Sequence, residues 1–75
     1  MPDKEYSVKL YWDEESSTWV ATSDDIPGLV LGSGSVDVLM ERVRFAAPEI
    51  MKLNKIDADN CILHFHFDRY AKVCL

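Results

Sequence analysis

The stretch LVLGSGSVDVLMERVRFAAPEIMKLN, residues 29–54, decides the fold because the spacing of its apolar residues changes within it. After Ser35 the apolar residues recur at steps of three and four, which is the period of one face of an α-helix. Ser35 can accept a hydrogen bond from a free backbone N–H of the first turn, and Asp37 complements the positive end of the helix dipole. The stretch therefore predicts an amphipathic helix that begins at Ser35. Its apolar stripe consists of Val36, Leu39, Met40, Val43, Ala46, Ala47, Ile50 and Met51.

Pro48 interrupts the helical pattern, because a proline inside a helix removes one backbone hydrogen bond and crowds the carbonyl four residues earlier. Two interpretations are open. The helix can continue with a kink near residues 45–47, or it can end there and Pro48 can begin a second short helical turn, a position that proline tolerates well. Since the apolar stripe runs through this site, we expect one bent helix.

The segments before residue 24 have the patterns of two strands. Residues 5–13 alternate strictly, which is typical of a half-buried strand, and residues 18–23 are rich in aromatic and β-branched side chains that suit a pleated sheet. The polar residues 13–17 between them favour a turn, because short polar side chains bond neighbouring backbone groups. We therefore predict a β-hairpin. The apolar side of its first strand consists of Tyr6, Val8, Leu10 and Trp12.

Two further strands are predicted around the helix. Pro27 and Gly28 have the residue types of a type II turn, so the chain should reverse into a short third strand at residues 29–31 that ends at residues 32–34. Residues 61–67 alternate again and predict a fourth strand, while residues 70–75 can extend it or fray. One side of the fourth strand, expected to lie buried under the helix, consists of Leu63, Phe65 and Phe67. The other side, expected to face outward, consists of Ile62, His64 and His66.

Together these elements predict an α+β fold of the order β-β-β-α-β, in a single domain that spans residues 1–75. The sheet should be mainly antiparallel with one helix on one face, and the helical crossover lets the fourth strand return parallel to one of the first three. The opposite face has nothing to cover it. We expect function or association there, because side chains such as Tyr11 and Ile62 would otherwise contact water.

Charge and size limit the function classes. Asp and Glu outnumber Lys and Arg by 13 to 8, a formal net charge of −5 over 75 residues, and the acidic residues are spread along the chain. Such a surface repels nucleic acid and attracts a basic partner. Because so short a chain buries a small share of its surface, a homodimer is expected. No signal peptide or membrane-length apolar segment is present, so we expect a cytoplasmic protein without a membrane partner.

Residues with catalytic or metal-binding chemistry lack the spacing that such chemistry needs. Cys61 and Cys74 belong to no metal-binding motif and are interpreted as free thiols. His64 and His66 project side by side from one strand, with Asp68 on the same side, but polar strand residues are the better interpretation. Carboxylates concentrate in turns, where Asp stabilises chain reversal, and not on strands around a pocket. We therefore expect a binding protein with no enzyme activity, cofactor or metal.

Several short motifs together resemble the HicB-like antitoxins, and specifically the short partial-HicB branch. They are WD at residues 12–13, WVA at 19–21, SDDIPGL at 23–29, APEI at 47–50 and LN at 53–54. The resemblance spans residues 8–54, and the turn of residues 25–28 before a helix is its most specific part. It implies a partial ribonuclease H-like fold without a catalytic centre.

The resemblance also implies a partner. In that family the acidic domain covers a small basic toxin ribonuclease of the HicA type and blocks its access to messenger RNA. Because the chain ends at residue 75, we expect no separate DNA-binding domain and no DNA binding by this chain alone. The residues expected to contact the partner are Tyr11, Asp13, Trp19, Asp24 and Asp25. The alternative function is a small RNA-binding module that stacks bases on Tyr11 and Trp19, although it lacks positive charge.

Overall fold

The computed structural model describes residues 4–74 and consists of four strands and one helix. In chain order these are β1 (Lys4–Asp13), β2 (Thr18–Thr22), β3 (Val30–Ser33), α1 (Val36–Leu53) and β4 (Cys61–Asp68). The predicted α+β class and the order β-β-β-α-β are confirmed. Within residues 4–74, no helix combines the length and the apolar character that a membrane crossing requires.

The strands form one sheet in the spatial order β3-β2-β1-β4. β1 and β2 pair antiparallel, as do β2 and β3, whereas β4 returns through α1 and pairs parallel with β1. The predicted mainly antiparallel sheet and the parallel return of the fourth strand are thus confirmed. β1 lies between β2 and β4, and its alternation buries Val8 and Leu10 completely on the helix side.

The turn before β3 is the predicted type II turn. Leu29 N–H donates to the Ile26 carbonyl at 3.2 Å, and Gly28 between them has a φ of +89°. A side chain with a Cβ rarely adopts that conformation, so glycine is required at this position. β3 then begins at Val30, one residue later than predicted, because Leu29 points into the core and is buried as part of the turn.

α1 is one uninterrupted helix with Pro48 inside it, so the alternative of a second short helix beginning at Pro48 is wrong. Ser35 is its N-cap, as predicted, and the Ser35 hydroxyl accepts from Val38 N–H at 3.4 Å. At the other end the backbone N–H of Asn54 donates to the last turn, and its side-chain amide donates to the Pro27 carbonyl at 2.9 Å. This last bond ties the helix end to the turn before β3. The fully buried residues of α1 are Leu39, Val43, Ala47 and Met51.

α1 covers the sheet unequally, since it packs over β2 and β3 more than over β4. On β4 the side chains of Leu63 and Phe65 are half-buried, and 54% of Phe67 is exposed. The prediction that this side of β4 would be buried under the helix is therefore only partly right, because the helix lies towards the opposite edge. After β4, residues 69–74 have no regular structure, so they do not extend the strand; Leu75 lies outside the described residues.

Candidate partner-binding face

The sheet surface opposite α1 is uncovered, and we call it the open face. The strand registers place the odd-numbered residues of β1 on it, beside the even-numbered residues of β2, β3 and β4. It contains both histidines and most of the charged strand residues. Its side chains belong to Glu5, Ser7, Lys9, Tyr11, Asp13, Thr18, Val20, Thr22, Val30, Ile62, His64, His66 and Asp68.

A shallow depression lies at the middle of the open face, where the loop after β2 rises beside β1. Three of its lining side chains are carboxylates, against one lysine and one histidine. Such a surface attracts cations and repels phosphate groups. The lining residues are Ser7, Lys9, Tyr11, Thr22, Ser23, Asp24, Asp25, His66 and Asp68.

Asp25 has a structural task in this depression. Its Oδ2 accepts from the backbone N–H of Ser7 at 2.7 Å, and the Ser23 hydroxyl donates to the Ser7 carbonyl at 2.5 Å. β2 ends at Thr22, so these two side chains take over the pairing of β1 where the neighbouring strand stops. The Asp25 carboxylate is thereby held against β1, while among residues 4–74 the carboxylate of the exposed Asp24 accepts no hydrogen bond.

Asp13 lies outside the depression, at the end of β1 where the turn to β2 begins. Its Oδ1 accepts from Glu15 N–H at 3.2 Å, and its Oδ2 accepts from the Ser16 hydroxyl at 2.9 Å. The side chain thus stabilises the hairpin turn, as short acidic residues do in reversals. Of the predicted contact residues, the structure brings Tyr11, Asp24 and Asp25 together and leaves Asp13 at the end of the face.

Trp19 lies on the other side of the sheet, under the helix. It pairs with Trp12, and the two rings pack edge to face with centroids 5.8 Å apart. The Trp19 and Phe67 rings are also arranged edge to face, with centroids 6.4 Å apart, and the Arg69 guanidinium lies 4.2 Å from the Trp12 ring centroid. Since Tyr11 faces the open side, the two aromatic side chains expected to stack bases lie on opposite faces of the sheet.

The two histidines lie on the open face, as predicted. Their rings stack with centroids 4.0 Å apart, and His64 Nδ1 lies 3.7 Å from a carboxylate oxygen of Glu5. Within residues 4–74 no three side chains of His, Cys, Asp or Glu are grouped to hold a metal ion. Cys61 and Cys74 are free thiols, and the Cys61 thiol donates weakly to the Asp57 carbonyl at 3.4 Å.

Sequence reasoning missed six residues of the depression, which are Ser7, Lys9, Thr22, Ser23, His66 and Asp68. The alternation of the strands had placed Lys9 and His66 on outward sides, which is the signal that was available. What was missing is the order of the strands. Lys9 lies between Thr22 and His66 across the sheet, and this row exists only because β1 pairs with both β2 and β4.

Comparisons with known proteins identify the chain at the level of a family. The profile of a domain of unknown function, DUF1902, matches residues 5–73. The chain belongs to the DUF1902 family. This DUF1902 domain is also similar to the crystal structure of a hypothetical protein from the extremely thermophilic bacterium Thermus thermophilus, with a TM-score of 0.73 and 25% identity. That match covers 96% of the DUF1902 chain and 100% of the thermophile chain. The comparison with curated proteins gave no match.

Proposed function

We propose that this chain is a non-catalytic, antitoxin-like module that binds and neutralises a small basic toxin ribonuclease of the HicA type. The observation that carries the proposal is the depression on the open face, which is lined by three carboxylates, Tyr11 and a single lysine. The HicB-like motifs at residues 12–13, 19–21, 23–29, 47–50 and 53–54 support the same function.

The depression suits a cationic protein surface better than a small substrate. It is wide and shallow, and its three carboxylates come from the loop after β2 and from the end of β4, so a partner must be large enough to contact both segments. Asp24 is exposed, and its carboxylate can pair with a lysine or arginine of the partner without first losing an internal hydrogen bond. Tyr11 in the same depression offers an aromatic surface of the kind that is enriched at protein interfaces.

Neutralisation in this proposal needs no chemistry from the chain. A basic ribonuclease binds RNA through its positive surface, and an acidic domain that covers this surface competes with the phosphates of the RNA. The net charge of −5 accelerates the encounter at low ionic strength, since long-range attraction between opposite charges raises association rates. Salt should therefore weaken the complex.

The test measures binding by isothermal titration calorimetry, with a catalytically inactive HicA-type ribonuclease encoded beside this gene as the titrant. Asp24→Lys and Asp68→Lys should each weaken binding by at least about tenfold, since each converts an attraction into a repulsion in the depression. Glu49→Lys is the matched control: Glu49 is exposed on α1, away from the open face, and carries the same charge change. It should leave the affinity within about threefold of the wild-type value.

Two outcomes would reject the proposal. The first is the absence of binding to the adjacent ribonuclease at low salt, and the second is an equal loss for Glu49→Lys and Asp24→Lys. A gel-shift titration with single-stranded RNA examines the alternative function in parallel. Saturable micromolar binding of RNA would favour the RNA-binding function, although Tyr11 and Trp19 lie on opposite faces of the sheet.

A further inference from the structure

β4 forms one edge of the sheet and pairs only with β1 among the described residues. A strand at an edge presents unpaired backbone N–H and C=O groups to any chain that can pair with them. Proteins usually protect such edges with lysine, proline or a bulge, and β4 has none of these within its sequence CILHFHFD. The one acidic residue of β4 is its last residue, Asp68.

The pairing with β1 shows which backbone groups of β4 point outward. Lys4 N–H donates to the Asn60 carbonyl, and the register then directs the groups of the even-numbered residues of β4 towards β1. The backbone N–H and C=O groups of the odd-numbered residues of β4 point to the free edge. These residues are Cys61, Leu63, Phe65 and Phe67. Their side chains all lie on the helix side, so the free backbone groups and the apolar side chains belong to the same residues.

A groove lies along this edge on the helix side, between α1 and β4. Most of its lining side chains are apolar, and Arg44 lies among them. The others are Ala47, Pro48, Met51, Ala58, Cys61, Leu63 and Phe65. At the end of β4, 54% of Phe67 is exposed, and in the following segment 88% of Tyr70 and 87% of Val73 are exposed. The edge therefore has an apolar groove at one end and uncovered apolar side chains at the other.

We propose that β4 pairs antiparallel with β4 of a second copy of this chain, about a two-fold axis at His64. This register matches Cys61 with the partner's Phe67 and Leu63 with the partner's Phe65, so every outward-facing residue of β4 gains a hydrogen-bonding partner. The result is a continuous eight-stranded sheet with both helices on one face.

The chain that pairs with this edge is a second copy, because the β4 edge of one copy is complementary to the β4 edge of another. The antiparallel direction carries the partner's residues 69–74 past Cys61 towards the apolar groove, where their exposed apolar side chains are buried. A two-fold axis repeats the contact, so that each groove receives the other chain's tail.

Of the residues that line the depression, only His66 and Asp68 belong to β4, whereas Asp24 and Asp25 follow β2 on the other side of β1. A basic partner bound to Asp24 and Asp25 therefore does not compete with this pairing. The inference thus stands apart from the proposed function.

The first test measures the mass in solution by analytical ultracentrifugation. The wild-type chain should have about twice its chain mass of 8.6 kDa at micromolar concentration. Phe67→Lys should raise the dissociation constant of the dimer at least tenfold, because it places a charge in the apolar strip at the edge. Val30→Lys is the control, since Val30 is 67% exposed on β3 at the opposite edge, and it should leave the dimer unchanged.

The second test fixes the register by cross-linking. In a background of Cys61→Ser and Cys74→Ser, His64→Cys places one thiol on each side of the two-fold axis at a pair that exchanges no hydrogen bonds. The Cβ atoms of such pairs lie about 4.5–5.5 Å apart, close to the spacing of a disulfide. Mild oxidation should yield a covalent dimer, whereas Val30→Cys in the same background should remain a monomer on a denaturing gel.

Several results would overturn the inference. They are a monomeric wild-type chain, a dimer that Phe67→Lys does not weaken, and cross-linking that is as efficient through Val30→Cys as through His64→Cys. Should Phe67→Lys unfold the chain, as judged by circular dichroism, the cross-linking result decides. Folded Phe67→Lys should still bind the ribonuclease while Asp24→Lys still dimerises, so failure of one proposal is distinguishable from failure of the other.

Discussion

At the scale of single residues, two neighbouring aspartates of equal charge have different tasks. Asp25 accepts a hydrogen bond from the backbone of Ser7, which continues the pairing of β1 beyond the end of β2. Asp24 is exposed beside it and makes no such bond among the described residues. A substitution at Asp25 therefore changes the fold as well as the charge, and Asp24 is the better position for testing partner binding.

Asp25→Ala should lower the free energy of unfolding by about 1 kcal/mol, because the amide of Ser7 loses a charged acceptor. Asp24→Ala removes the same charge and should change the stability by no more than about 0.5 kcal/mol, as surface substitutions usually do. Urea denaturation of both variants at one pH measures the difference. Equal losses for the two variants would mean that the Ser7 bond contributes no stability.

At the scale of elements, α1 is stabilised by its buried apolar stripe and by the cap at its first turn. Pro48 removes one backbone hydrogen bond from its middle, yet the helix continues to Leu53 because Leu39, Val43, Ala47 and Met51 are buried along one stripe. Tertiary packing thus outweighs the unfavourable effect of proline on the helix. The Ser35 hydroxyl satisfies Val38 N–H at the start of the helix.

Ser35→Ala should lower the free energy of unfolding by about 0.5–1 kcal/mol, because the helix loses its N-cap. This loss lies in the lower part of the range of stability losses usually seen for N-cap substitutions, because the hydrogen bond to Val38 is 3.4 Å long. Ser35→Asp keeps an acceptor and adds a negative charge at the positive end of the dipole, so it should retain the wild-type stability. Chemical denaturation compares the three, and an alanine variant as stable as the aspartate variant would contradict the cap assignment.

At the scale of the whole molecule, the chain presents two surfaces of different character on different sides. The open face is polar and acidic, while the edge along β4 is apolar on the helix side. The helix position explains the contrast, because α1 lies over β2 and β3 and leaves β4 partly uncovered. Our two proposals use separate surfaces: the depression on the open face for a basic partner and the β4 edge for a second copy.

If folding and pairing through β4 are coupled, thermal stability depends on concentration. The midpoint temperature Tm of the wild-type chain should rise as its concentration increases, because a dimer is favoured by mass action. Phe67→Lys should reduce this dependence, while Val30→Lys should retain it. Differential scanning calorimetry over a hundredfold range of concentration measures the effect, and a constant Tm for the wild-type chain would argue against a coupled dimer.

Local periodicity was enough to predict the elements, because alternation and helical spacing are properties of short segments. It placed Ser35, the turn at Pro27 and Gly28, and the outward histidines correctly. It could not determine contacts between distant segments. The Ser7 to Asp25 bond depends on where β2 stops, and the side of Trp19 depends on its pairing with Trp12, since residues 18–22 are half-buried on both sides apart from Ala21.

The parallel pairing of β1 with β4 also constrains how the chain is made. The register joins Lys4 to Cys61, so β1, one of the two interior strands, is synthesised first and its neighbour β4 last. Contacts between such distant segments slow folding, because a long loop must close before they form. During synthesis on the ribosome, the edge of β1 that pairs with β4 stays unpaired until almost all of this domain has emerged. Val8 and Leu10 belong to this strand. A nascent chain at that stage is the form of this protein most exposed to aggregation and to chaperones.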